Sequence, residues 1–162
     1  MKVLFIQNNG IQESIGVANL SAILKANGHE ADLLLVSHTP DLIGAIREYD
    51  PGLIAFSALT GVHHSLELLA LMIKEQLDIP IIVGGPHPTY SPDMIMSPGI
   101  DIICRGEGEL AMLELADPGT AKRLGALAHR YSRLLTWPMV AERLVRAMAI
   151  PGVDSSGLAE FL

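Results

Sequence analysis

Leu53-Ile54-Ala55-Phe56-Ser57-Ala58-Leu59-Thr60-Gly61 is the stretch whose reading decides the fold. Four apolar residues with no polar alternation form the pattern of a strand buried on both faces, as parallel sheets covered by helices require. The run gives way to Ser57, Thr60 and Gly61, so the strand ends in a loop of small and polar groups. The same grammar recurs on both sides. Val3-Leu4-Phe5-Ile6 precedes the polar stretch 7–16, residues 32–36 form a second strand, and residues 79–83 form a fourth, closed by Gly84-Gly85-Pro86. Residues 100–104 form a fifth strand, leading into Arg105-Gly106-Glu107-Gly108-Glu109.

Helical spacing fills the intervals. Val17, Leu20, Ile23 and Leu24 share one helix face, with Gly28 as a C-terminal cap, and Leu42, Ile43 and Ile46 share another within 40–49. Residues 63–77 and 110–115 are read as two more helices. Five short strands alternating with helices predict an α/β fold, an open five-stranded parallel sheet with helices on both faces. Such sheets take ligands beyond the carboxyl ends of their strands. Function is therefore sought in the loops 7–16, 57–62, 84–90 and 105–109.

Composition agrees with a single buried domain. Of 162 residues, 49% are hydrophobic, 18% charged and 4% aromatic, and the mean hydropathy is +0.37, which excludes a disordered chain and predicts a core of aliphatic residues. The net charge of −7 argues against a nucleic-acid surface. A single cysteine, Cys104, excludes an internal disulfide, a cysteine-rich zinc site and a three-cysteine iron–sulfur motif in these residues. The opening apolar run is too short for a signal peptide and no apolar stretch reaches membrane-spanning length, so no membrane partner and a cytoplasmic location are expected.

Charge shifts near residue 116. Residues 1–116 hold 5 Lys and Arg against 14 Asp and Glu, whereas 117–162 hold 6 against 4. Beyond that seam, Leu124, Leu127, Tyr131 and Leu134 recur at helical spacing, and Thr136 reads as the N-cap of a helix over 137–149 with Pro138 in its first turn. The expected organisation is an α/β domain over 1–116 and a C-terminal helical extension over 117–162, packed on it.

The loop 10–16 enters a helix whose free amides suit an anion or a polar ligand edge, or it is a plain loop with Ser14 as a cap. It lacks both the G-x-G-x-x-G dinucleotide spacing and the P-loop pattern. Gly84-Gly85 removes side chains where a ligand approaches the backbone, or where the chain simply turns tightly. Spacing is more informative, with 40 residues between Gly16 and Ser57 and 24 between Leu59 and Gly84.

At these separations the sequence resembles the cobalamin-binding domain family, which carries D-x-H-x-x-G after the first strand, S-x-L after the third and G-G after the fourth. Ser57-Ala58-Leu59 and Gly84-Gly85 match as they stand, but the family's Asp falls on Ile11 and its cobalt-ligating His on Glu13, leaving only Gly16 of the first motif. Gly85-Pro86-His87-Pro88-Thr89 and 105–109 are similar to the versions at the N-terminus of cobalamin-dependent radical S-adenosylmethionine enzymes. The resemblance implies a flavodoxin-like (Rossmann-like) fold. It also implies a base-off corrinoid whose nucleotide tail runs near Ser57, Leu59, Thr60 and Gly61, past Gly84, Gly85 and Pro86. Glu13 or the Gly10–Gly16 loop would face the lower side of cobalt. His87 is a substitute metal ligand or an element of loop architecture. Gly106 and Glu107 border the site, and Glu107 and Glu109 either accept hydrogen bonds from a corrin amide or cap the next helix. His63 and His64 are read as capping or solvated.

Residues 115–149 resemble the closing helices of family-four-type glycosyltransferases, through Leu115-Ala116-Asp117-Pro118, Arg123-Leu124-Gly125 and Leu135-Thr136-Trp137. No catalytic residue is carried by that segment. The leading expectation is a cobalamin module, not catalytic alone, that serves a radical S-adenosylmethionine catalytic domain or methyltransferase partner. The alternatives are a ligand-free fusion or engineered scaffold of the same fold, or a glycosyltransferase-like fragment.

Overall fold

The structure, a computed structural model, describes residues 1–8 and 15–117. Glu13, the Ser14 cap, the helical extension expected beyond 117 and nearly all of the glycosyltransferase-like stretch lie outside the described residues. Five strands, β1 (Lys2–Gln7), β2 (Glu30–Leu35), β3 (Leu53–Ser57), β4 (Ile81–Gly84) and β5 (Ile102–Ile103), form one parallel sheet in the order β2-β1-β3-β4-β5. Strand order reverses between β1 and β3, so the loops that follow these two strands diverge and open a crevice at their carboxyl ends. The helices are α1 (Ile15–Ala26), α2 (Leu42–Tyr49), α3 (His63–Lys74), α4 (Pro86–Tyr90) and α5 (Glu109–Ala116).

The apolar runs are continuous because alternate residues feed two separate cores. Leu4, Ile54, Phe56 and Val83 pack against Ile46 of α2 and Ala70 and Ile73 of α3. Val3, Phe5, Ala55 and Ile82 pack on the opposite face against Val17 and Leu24 of α1 and Met112 and Leu115 of α5. Each large side chain fully buried there contributes about 1.5–3 kcal/mol. Helices on both faces of a parallel sheet, as expected, therefore follow from a strand pattern with no exposed face.

Several boundaries differ from the sequence reading, each for a physical reason. The second strand starts at Glu30, whose N–H donates to Met1 O at 3.0 Å, and stops at Leu35 where a 3₁₀ turn, Val36–His38, begins. The second helix starts at Leu42 because the Asp41 side chain accepts from Gly44 N at 2.8 Å and caps it. The fourth strand starts after Pro80, which has no N–H to give a ladder. The fifth is cut to two residues at the sheet edge, with the Asp101 carboxylate, not a backbone group, accepting from Ile81 N at 2.7 Å. The stretch 84–90, expected as loop, contains α4, started by Pro86 in its first turn.

Candidate functional site

A cleft of about 700 Å³ opens at the carboxyl ends of the strands, between the sheet and helices α1 and α5. That volume lies within the range of about 300–1,000 Å³ typical of small-molecule sites. The β3 and β4 termini form its floor through Ser57, Leu59, Gly84 and Gly85, with Pro86 following at the start of α4. Gly16 contributes from α1, and Gly106 and Glu107 from the loop before α5. Eight of the sequence-predicted residues thus meet around one cavity. No Lys or Arg is among the described lining residues, so among them nothing offsets several phosphate charges, and a largely uncharged ligand suits these residues better.

Backbone hydrogen bonds link the parts of this floor. Ala58 N donates to Gly84 O at 2.8 Å and Ala58 O accepts from His87 N at 3.0 Å, which ties the end of β3 to the turn after β4. Gly85 sits at φ +100°, where a side chain is strained, and a Cβ there would lie 3.0 Å from both Ser57 Oγ and Ala58 O. The close backbone approach is why this position is glycine. Gly84 differs, since a Cβ there would meet Cys104 Cβ at an ordinary 3.6 Å. Its missing side chain is thus not demanded by packing alone.

Thr60, Gly61 and His87 are not among the lining residues. His87 is buried, its Nδ1 lies 3.2 Å from Thr60 Oγ1, and its ring stacks on that of His63 with centroids 3.8 Å apart and planes 19° off parallel. Gly61, at φ +100°, gives its N–H to His63 Nδ1 at 3.3 Å. Thr60, Gly61 and His87 therefore meet one another and the start of α3, beside the cleft and not inside it. Glu107 and Glu109 line the cleft, and α5 begins after Gly108 with no side-chain cap bond, so neither carboxylate performs the capping considered from sequence. Val62, not a histidine, holds the cap position of α3, and His64 is solvent-exposed and paired with Glu67 at 3.0 Å.

Sequence reasoning missed part of the wall. Phe5, Gln7, Leu20, Cys104 and Met112 also line the cleft. Gln7, the last residue of β1, was accessible from the rule that ligands sit at strand ends. Leu20 and Met112 carry the ordinary signature of core-facing helix residues, and only the tertiary structure shows the cavity beside them. The Cys104 thiol is pushed above its ordinary pKa by burial first and by the nearby Glu109 and Glu107 carboxylates second. Its Sγ lies 3.9 Å from Glu107 O.

Fold and cleft together define a flavodoxin-like α/β domain with an open cleft at the carboxyl ends of its strands. The family described as the B12 binding domain matches residues 1–116, and the chain belongs to it. It is 34% identical over 132 residues to an anaerobic magnesium-protoporphyrin IX monomethyl ester cyclase of Rubrivivax gelatinosus, covering 71% of this chain and 24% of the cyclase. It is 34% identical over 80 residues to an uncharacterized methyltransferase, PH0819, of Pyrococcus horikoshii, covering 48% of this chain and 17% of that protein. The chain thus spans about a quarter or less of these relatives. A cobalamin-binding protein from Desulfitobacterium hafniense DCB-2 shares the fold, with a TM-score of 0.54 and 18% identity over 67% of this chain and 54% of its own. No helix among the described residues is long and apolar enough to cross a membrane.

Proposed function

We propose that this cobalamin-binding domain holds its corrinoid base-off, with the nucleotide tail lowered into the cleft beside Ser57, Leu59, Gly84 and Gly85. The observation that carries the reading is the cleft itself, roughly 700 Å³ at the rim where the sheet order reverses, floored by glycine at the two positions a side chain would narrow. The residues fit the group. Leu20, Phe5 and Met112 give a planar base an apolar wall, and Ser57 and Gln7 supply polar groups at the strand ends. Glu107 and Glu109 at the mouth are placed to accept hydrogen bonds from amide side chains of a corrin.

With Glu13 at the family's histidine position, the first loop offers no imidazole to cobalt. His87 is committed to Thr60 and His63 and serves as loop architecture in this reading, not as a metal ligand. Bound cobalamin supplies methyl transfer or radical chemistry, and this chain's residues contribute binding and orientation. The catalytic partner is a methyltransferase or a radical S-adenosylmethionine domain, the first supported by the name of one relative and the second by the resemblance of 85–89 and 105–109.

Calorimetric titration of hydroxocobalamin into the protein and into Ser57→Trp tests this. The wild type is expected to bind one equivalent and the tryptophan variant, whose indole fills the strand end, to lose binding by at least about tenfold while remaining folded. Equal affinity in the two proteins would move the ligand away from this cleft.

A further inference from the structure

Three imidazoles gather outside the cleft in a way that corrin binding does not explain. His63 lies between the other two, 3.8 Å from the His87 ring and 4.0 Å from the His64 ring. His63 and His64 open α3, whereas His87 belongs to α4, so the His63–His87 stack joins two elements that follow different strands. The rings of that pair lie face to face. Ring nitrogens of parallel imidazoles do not converge on one point, and no group among the described residues is arranged to hold a metal ion. The arrangement instead suits proton control.

We propose that the His63–His87 stack is an acid-sensitive latch on the cleft wall, closed while the rings are uncharged and released when both take up protons. Two imidazolium ions this close repel strongly, whereas two neutral rings stack. The groups that act on His63 are known. His64 and His87 oppose its protonation, and Glu67 on the next turn of α3 favours it. Glu67 is itself held by the Ser97 hydroxyl and by His64. Thr60, from the loop after β3, faces His87 with a hydroxyl and carries no charge. Partial desolvation of His63, followed by its two histidine neighbours, keeps its pKa below the ordinary value.

Release matters because α4 is also cleft wall. Pro86, Thr89 and Tyr90, on either side of His87 and Pro88, line the cavity. Freeing His87 from His63 removes one of the contacts that hold the one-turn helix carrying all three, beside the bonds from His87 N to Ala58 O and from Arg105 and Gly106 to Thr89, and so loosens it. The effect on ligand affinity rests on the cobalamin reading above, but the latch itself does not.

The experiment therefore has two arms, both run from about pH 8 to pH 5 across the histidine range. Without corrinoid, exchange of the His87 and Ser91 amides, which donate to Ala58 O and His87 O, is followed after correction for intrinsic rates. With hydroxocobalamin, affinity is measured at each pH. The wild type is expected to lose about tenfold in amide protection and in affinity toward acid, and His63→Phe, which keeps a stacking ring with no charge, to flatten both profiles. Protection that is independent of pH, or an equal loss in His63→Phe, overturns the latch. An absence of corrinoid binding at every pH overturns the ligand reading and leaves the exchange arm to decide the latch.

Discussion

A Cβ added to Gly85 would lie 3.0 Å from Ser57 Oγ, so the turn after β4 touches the end of β3 with no space for a methyl group. Both residues line the cleft. Gly85→Ala combines a left-handed backbone with crowding against Ala58 O, also at 3.0 Å. Together these are expected to cost about 1–3 kcal/mol of stability. Urea denaturation checks it, and a variant as stable as the wild type would show that the turn yields freely.

Gly84 separates folding from binding. A methyl there meets Cys104 Cβ at 3.6 Å, an ordinary contact, and the position lines the cleft. Gly84→Leu is expected to leave a cooperative unfolding transition, with roughly 1–3 kcal/mol lost to overpacking, while cobalamin affinity falls more than about tenfold. Parallel thermal melts and binding titrations read the two effects. Undiminished affinity would mean that the cofactor does not pass this strand end.

Cys104 gives a chemical reporter from inside the cavity. Burial and the Glu109 and Glu107 charges raise its thiol pKa, so the thiolate that reacts with alkylating reagents is scarce at neutral pH. Alkylation of the folded protein is expected to be at least about tenfold slower than in denaturant, and slower again with cobalamin bound, since Cys104 lines the cleft. As the chain's single cysteine, it makes the mass-spectrometric readout unambiguous. Alkylation at an unchanged rate in the presence of saturating cobalamin would contradict the cleft as the binding site.

Away from the cleft, the Ser97 hydroxyl donates to Glu67 and, with a smaller contribution from His64, holds that carboxyl below the ordinary carboxylate range. A lowered folded pKa contributes stability that is present above the unfolded value and is lost as pH falls through the folded one. Ser97→Ala is therefore expected to cost about 0.5–1.5 kcal/mol near neutrality and progressively less below about pH 4.5. Chemical denaturation across that window measures it. A cost that stays constant into acid would show that the bond acts through packing alone.

The fold was legible because each buried strand is a short apolar run with a polar stop, and Leu53–Ser57 shows both features within a few residues. The edges were less legible. Nothing local says that β5 shrinks to Ile102–Ile103, because pairing at a sheet edge depends on what β4 offers it. The site divided in the same way. Ser57, Gly84 and Gly85 announce themselves by residue type and position, whereas Leu20 and Met112 look like any core residue. The stack of His63 on His87 joins residues on two different helices, and no pattern along the chain encodes the 3.8 Å between their rings.

The central claim is that the strand-end cleft receives a corrinoid in base-off form. Anaerobic titration of the full chain into hydroxocobalamin, followed by visible absorbance, tests it most directly. The account predicts a saturable change at one equivalent, ending in a base-off spectrum. An unchanged spectrum at excess protein, or a base-on spectrum at saturation, would contradict it.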